Sequence, residues 1–216
     1  MLAVTFDMDG LMFNTEDVYT LAGTELLARR GCTFTPELKD AMMGLPPRAA
    51  FEVVIDWHHL DEPWDALAAE SDAIFLSLLG GRLTAMPGLP ELLAALETAG
   101  IPKAIATSSG RRLTEACLAP FQLAPRFRFV LTSQDITRGK PDPEIYLLAA
   151  QRFGVPPADM LVLEDSQNGC RAAVASGAFT VAVPGEHSRR QDFRLANLQI
   201  ESLADRKLYE VLGIAK

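Results

Sequence analysis

The residues with the most chemistry to offer are carboxylates in pairs, hydroxyls in a row and one lysine between prolines. Asp7-Met8-Asp9-Gly10 follows a short apolar run. Residues two apart in an extended chain point the same way, so Asp7 and Asp9 can face one site while Met8 points elsewhere. Such a pair suits a hard divalent cation, which takes oxygen ligands. It also suits a nucleophile working beside an acid/base group. The plainer reading is a strand that ends in an Asp-Gly turn. Thr107-Ser108-Ser109-Gly110 places hydroxyls and backbone N–H groups ahead of a helical pattern, which makes an anion site. Alternatively, Ser109 caps the helix that starts at Arg111. In Lys140-Pro141-Asp142-Pro143 the prolines stiffen the loop, so the lysine loses less freedom when it pairs with an anion. A solvated surface lysine in a turn is the alternative. Glu164-Asp165-Ser166 puts two acids behind an apolar run, costly unless a cation or hydrogen bonds balance them. Here Asp165 or Ser166 could instead cap the next helix.

Apolar runs at 2–6, 101–107, 127–132, 160–165, 179–183 and, more weakly, 197–202 read as buried strands. Helical patterns at 89–99, 111–118, 143–153 and 168–176 separate most of them, closed by Gly100, Pro120, Gly154 and Gly177. This alternation predicts an α/β fold, a Rossmann-like doubly wound parallel sheet. Ligands bind beyond the carboxyl ends of the strands in such sheets. All four polar clusters fall at such an end or just after one, a conjunction that the separate plainer readings leave unexplained.

Residues 15–83 break the alternation. They lack a convincing strand, and 17–30, 48–58 and 64–79 read as amphipathic helices, with breaks at Pro46-Pro47 and Pro63. The expectation is a core of residues 1–14 and 84–216 with a helical cap domain, 15–83, inserted after the first strand. Pro87-Gly88 punctuates the return.

Composition narrows the partners. Twenty Lys and Arg against 28 Asp and Glu give a net charge of −8, which a nucleic-acid backbone or an anionic lipid surface would repel. An anionic small molecule remains acceptable if a metal or a buried lysine makes one pocket locally positive. No apolar stretch is long enough for a membrane span, and the opening MLAVTFDMDG does not read as a secretory signal. Three well-separated cysteines, Cys32, Cys117 and Cys170, read as reduced thiols of a cytoplasmic protein. A monomer is the default expectation.

Taken in order, DMDG at Asp7, TSS at Thr107, KPDP at Lys140 and LEDS at Leu163 resemble the four motifs of the haloacid dehalogenase superfamily of phosphotransferases. The helical insertion resembles that superfamily's cap, in the subgroup of beta-phosphoglucomutase, phosphoglycolate phosphatase and sugar-phosphate phosphatases. Asp9 marks the phosphoryl-transfer branch. The resemblance implies that Asp7 is the nucleophile and forms an aspartyl-phosphate. Asp9 then acts first as general acid and afterwards as base for water. Thr107 and the Ser108 N–H would hold the phosphoryl oxygens, and Lys140 would bridge Asp7 and the phosphate. Mg²⁺ would be held by Asp7, the Asp9 carbonyl and Asp165, with Glu164 acting directly or through water.

The substrate implied is a small phosphate ester. The subgroup's mutases carry a histidine where Tyr19 stands, and a cap lysine for the second phosphate of the sugar. With no lysine between Lys39 and Lys103, no candidate for that lysine is expected. Fewer cationic anchors favour hydrolysis of a monophosphate, most simply a sugar phosphate, over a beta-phosphoglucomutase-like phosphohexomutase. Arg48, Thr15 and Glu16 are the candidates for specificity in the cap. Arg48 and Glu16 could equally be solvated helix-start residues.

Overall fold

The computed structural model describes residues 1–42, 45 and 47–215. They divide into two compact units, Met1–Asn14 with Thr84–Lys216, and Thr15–Leu83. Gly44 and Pro46, in the expected loop ahead of Arg48, lie outside the described residues.

The first unit is built on β1 (Ala3–Phe6), β2 (Lys103–Ala106), β3 (Val130–Leu131), β4 (Met160–Glu164), β5 (Phe179–Ala182) and β6 (Leu198–Gln199). They form one sheet in the order β3-β2-β1-β4-β5-β6, and every neighbouring pair is parallel. This is the doubly wound α/β arrangement. The chain runs outward from β1 through β2 to β3, then returns to the other side of β1 for β4. The strand order therefore reverses beside β1, where such sheets open a crevice at their carboxyl edge. In register, Phe6 stands level with Ile105 of β2 and Leu163 of β4. The residues that follow these three strands are thus brought to one edge.

Sequence dictates this directly. β1, β2 and β4 are buried along their whole length, as parallel strands covered on both faces must be. Each fully buried Leu or Val side chain contributes about 1.5–3 kcal/mol. The helices of this unit are α5 (Leu89–Thr98), α6 (Arg111–Leu118), α7 (Glu144–Phe153), α8 (Gln167–Ser176) and α9 (Arg206–Leu212). On one face α7 brings Ile145, Tyr146, Ala149 and Ala150 against Met160 and Val162, and α8 packs with Ala172 and Ala173. Where the chain leaves and re-enters the unit, the Thr84 N–H donates to Asn14 Oδ1 at 2.7 Å and the Asn14 N–H to the Thr84 carbonyl at 3.2 Å.

The second unit is helical: α1 (Thr15–Ala28), α2 (Pro36–Met42), α3 (Pro47–His58) and α4 (Trp64–Leu78). Leu27, Leu38 and Val54 form its core with Cys32, Phe34 and Leu60. Arg30, just past the end of α1, donates to Glu62 at 2.6 and 2.7 Å and to Glu70 of α4 at 2.7 Å. Tyr19 stacks on Phe75 with ring centroids 4.2 Å apart. The strand expected at 127–132 contracts to Val130–Leu131, because residues 124–126 form a 3₁₀ turn just before it. All three cysteines are free, with Cys117 and Cys170 buried. Among the described residues no helix is long and apolar enough to cross a membrane.

Candidate active site

The site assembles where β1, β2 and β4 end. Asp7 leaves the buried end of β1, and its N–H donates to the Leu163 carbonyl at 3.0 Å, tying it to β4. Gly10 turns the chain with φ +72°. A Cβ at Gly10 would fall 2.3 Å from Asp165 Oδ2, so the turn and the end of β4 approach as closely as they do only with glycine.

Lys140 arrives from the loop between β3 and α7. Glu144 holds that loop, accepting from the N–H groups of Thr137 and Arg138 at 2.8 Å each. The Lys140 ammonium donates to Asp7 Oδ1 at 2.5 Å, to Glu164 Oε1 at 2.7 Å and to the Ala106 carbonyl at 3.0 Å. It is no surface lysine: 6% of its side chain is exposed. Burial by itself would depress its pKa, but the charges of Asp7 and Glu164 outweigh that and hold it well above the ordinary lysine value. Lys140 is therefore a fixed cation. Burial, opposed by Lys140 and reinforced by Glu164 and Asp9, pushes the Asp7 carboxyl well above the ordinary range.

Asp9 faces the hydroxyl cluster after β2. Its Oδ2 accepts from Thr107 Oγ1 at 2.9 Å and from Ser109 Oγ at 2.7 Å. Its Oδ1 is buried with no hydrogen-bond partner among the described residues. Ser109 does not cap α6: the cap position is Gly110, without a side-chain bond, and the Ser109 hydroxyl goes to Asp9. The bond from Ser109 to Asp9 is not visible in the sequence, where the Thr107-Ser108-Ser109 hydroxyls read as an anion site or, for Ser109, as a helix cap. Thr107 is wholly buried, whereas Ser108 is exposed beside it.

At the end of β4, Ser166 is the residue that caps α8, accepting from the Gly169 N–H at 3.1 Å. The cap is therefore not Asp165. Asp7, Glu164 and Asp165, all buried, each offer a carboxylate oxygen, and these oxygens lie within 4.8 Å of one another. Acidic oxygens this concentrated fit a hard divalent cation.

The structure thus draws Asp7, Asp9, Thr107, Lys140, Glu164 and Asp165 into one cluster, with Ser108 at its margin. Thr15 and Glu16 open α1 in the second unit. Arg48 is exposed there and pairs with Glu52 on its own helix at 2.8 Å. Lys39 was missed as a cationic group of that unit, although it lies between residues 15 and 83. It donates to Thr20 Oγ1 at 2.6 Å and stands 4.0 Å from Glu16. Tyr146 also went unremarked, because a tyrosine inside an apolar helical pattern reads as core. Its hydroxyl donates to Glu164 Oε1 at 2.6 Å.

Comparison with known proteins places the chain in a family. The family model described as haloacid dehalogenase-like hydrolase matches residues 4–183. A Drosophila melanogaster protein named "Probable pseudouridine-5'-phosphatase" is 36% identical over 94% of this chain and 90% of its own length. Hexitol phosphatase B of Escherichia coli K12 is 28% identical over 99% of this chain and 97% of its own. The crystal structure of CbbY from Rhodobacter sphaeroides in complex with phosphate superposes with a TM-score of 0.85 at 27% identity, covering 95% of this chain and 96% of that one. With its acids, hydroxyls and lysine at the carboxyl edge of this sheet, the chain belongs to the haloacid dehalogenase-like hydrolase family, as one of its phosphoric monoester hydrolases.

Proposed function

We propose that the protein is a Mg²⁺-dependent phosphatase that hydrolyses a small sugar-type phosphate monoester through an aspartyl-phosphate on Asp7. The observation that carries this reading is the Lys140 ammonium 2.5 Å from Asp7 Oδ1, across 133 residues of chain. A carboxylate attacks a phosphate dianion only when their repulsion is offset, and Lys140 supplies a fixed charge at that spot. Asp7, Asp165 and the Asp9 carbonyl are the proposed donors to Mg²⁺, with the Glu164 carboxylate adding negative charge beside them. When bound, Mg²⁺ neutralises charge on the transferring phosphoryl group.

In the first step an Asp7 carboxylate oxygen bonds to phosphorus and the P–O bond to the alcohol breaks. The leaving oxygen takes a proton from Asp9. In the second step a water oxygen attacks phosphorus, Asp9 takes the proton of that water, and the P–O bond to Asp7 breaks. Inorganic phosphate leaves and Asp7 is restored. Asp9 Oδ1, buried and unpartnered among the described residues, is the atom for both transfers. Thr107 and Ser109 fix its other oxygen, so the carboxyl cannot rotate away. The Ser108 N–H is the proposed cradle for the phosphoryl oxygens, joined by the Thr107 hydroxyl when it turns from Asp9 and leaves Oδ2 to Ser109.

Two features support hydrolysis rather than mutase chemistry. Tyr19 stacks in the second unit instead of offering an imidazole, and Arg48 is engaged by Glu52. The sugar-type substrate is supported by the names of the relatives. Specificity within that class is assigned to the cap, residues 15–83, with Thr15, Glu16 and Arg48 as candidates. The test is phosphate release across sugar phosphates, nucleotides and phosphoglycolate, with Mg²⁺ or with EDTA. Turnover of a sugar phosphate that stops in EDTA is expected. Turnover indifferent to EDTA would overturn the metal dependence, and a hexose 6-phosphate formed from the 1-phosphate without free phosphate would overturn hydrolysis.

A further inference from the structure

We infer that Glu164 serves Lys140 rather than the metal. Its carboxylate is the counter-ion that positions the lysine, Tyr146 is its second anchor, and Gly169 leaves the room it occupies. The inference rests on reading the site as that of a metal-dependent phosphatase, and it divides the two acids at the end of β4 between two tasks.

Counting hydrogen-bond sites carries the argument. An ionised carboxylate offers about four lone-pair directions. Glu164 Oε1 accepts from the Lys140 ammonium at 2.7 Å and from the Tyr146 hydroxyl at 2.6 Å. Oε2 accepts from the Ser166 N–H at 3.2 Å and the Ser166 hydroxyl at 3.0 Å. Four donors fill four directions, and the side chain is wholly buried. Taking a metal directly would break one of these bonds with no water to replace it. The lysine is saturated in the same way: its three N–H groups go to Asp7, Glu164 and the Ala106 carbonyl.

The surroundings are shaped to this carboxylate. Tyr146 is fully buried, and the Lys140 ammonium lies 5.2 Å from its ring centroid, so the tyrosine touches both members of the pair. A Cβ on Gly169 would fall 1.8 Å from Glu164 Oε1 and 2.1 Å from Oε2. Any larger residue at 169 must push the carboxylate off its partners. Without Glu164, Asp7 alone would neutralise the buried ammonium, and a carboxylate held that tightly is a poorer nucleophile. Glu164 and Tyr146 act through Lys140 and are positioning residues.

The test is calorimetric titration of the full chain with Mn²⁺, without substrate, on wild type, E164Q, Y146F, G169A and D165N, beside kcat, KM and a thermal melt. Losing even a residue that hydrogen-bonds a metal ligand from behind costs about 10–100-fold in affinity or activity, so D165N, which removes a ligand itself, should weaken Mn²⁺ binding by at least about a hundredfold. E164Q, Y146F and G169A should bind Mn²⁺ within about threefold of wild type while kcat falls, about tenfold or more for E164Q and G169A and about threefold to tenfold for Y146F. KM should move less than kcat. Y146F leaves every carboxylate in place and keeps the test decisive if E164Q or G169A melts early. E164Q weakening Mn²⁺ as much as D165N would overturn the inference, as would Y146F with unchanged kcat. A wild type that binds no Mn²⁺ would overturn the parent reading and this inference together.

Discussion

The arrangement around Asp9 shows how one side chain can be both fixed and available. Thr107 and Ser109 hold Oδ2, while Oδ1 is buried with no partner among the described residues. Ser109→Ala removes one of the two restraints, so kcat should fall about tenfold to 150-fold, the worth of a hydrogen bond to a charged group at about 1.5–3 kcal/mol. Steady-state kinetics checks this, and an unchanged kcat would show that Thr107 alone orients the acid. Asp7→Asn keeps the size of the side chain and removes the nucleophile. Turnover should drop more than about a hundredfold, because no other group in the cluster can replace covalent attack. A thermal melt should show the fold intact, since Lys140 keeps Glu164 and the Ala106 carbonyl.

At the scale of elements, the site depends on four loops leaving the adjacent parallel strands β3, β2, β1 and β4, and close approaches set their spacing. Gly88, at φ +88°, precedes α5, and a Cβ there would sit 2.3 Å from the Ala204 backbone nitrogen. Backbone cannot yield as a side-chain tip can. Gly88→Ala should therefore destabilise the protein by about 2–4 kcal/mol, combining left-handed strain with overpacking. A lowered unfolding midpoint in denaturant is the readout, and an unchanged midpoint would contradict the packing described here. Much at this scale was legible in the sequence, because a parallel strand covered on both faces is a continuous apolar run. The runs ending at Phe6 and Glu164 stand out for that reason, and their polar successors mark the site. Two seven-residue helices, α2 and α9, did not stand out, since so short a segment shows barely two turns of periodicity. Asp205 capping α9 and Gly213 closing it were the available signal. Tyr146 and Ser109 were illegible for a different reason. Their partners, Glu164 and Asp9, come from distant segments, and each residue has an ordinary local explanation, core packing for one and helix capping for the other.

Over the whole molecule, a net charge of −8 coexists with a locally cationic point at Lys140. Elsewhere charge serves stability. Glu97 joins Lys103 at 2.9 Å and Arg126 at 2.8 Å, and only 5% of the Lys103 side chain is exposed. Hydrogen bonds from Arg126 and Lys103 pull the Glu97 carboxyl down to about 2, from an ordinary value of 4.5. A depressed folded-state value means that this stabilisation is present above about pH 4.5 and is lost as pH falls through about 2. Glu97 is nearly half exposed, so solvent screening limits its share to about 1 kcal/mol. Glu97→Gln should flatten the pH dependence of unfolding between about pH 2 and 4.5. An unaltered slope there would contradict the pairing. The central claim concerns covalent chemistry at one carboxylate, and trapping tests it most directly. Wild-type enzyme turning over a sugar phosphate with Mg²⁺ is quenched in acid and reduced with borohydride, which converts an acyl phosphate to an alcohol. Mass spectrometry of the tryptic peptide spanning residues 1–29 then reads the product. Reduction of Asp7 to homoserine, present with substrate and missing without it, is the result predicted. Reduction at another residue, or none while phosphate is being released, would contradict the account.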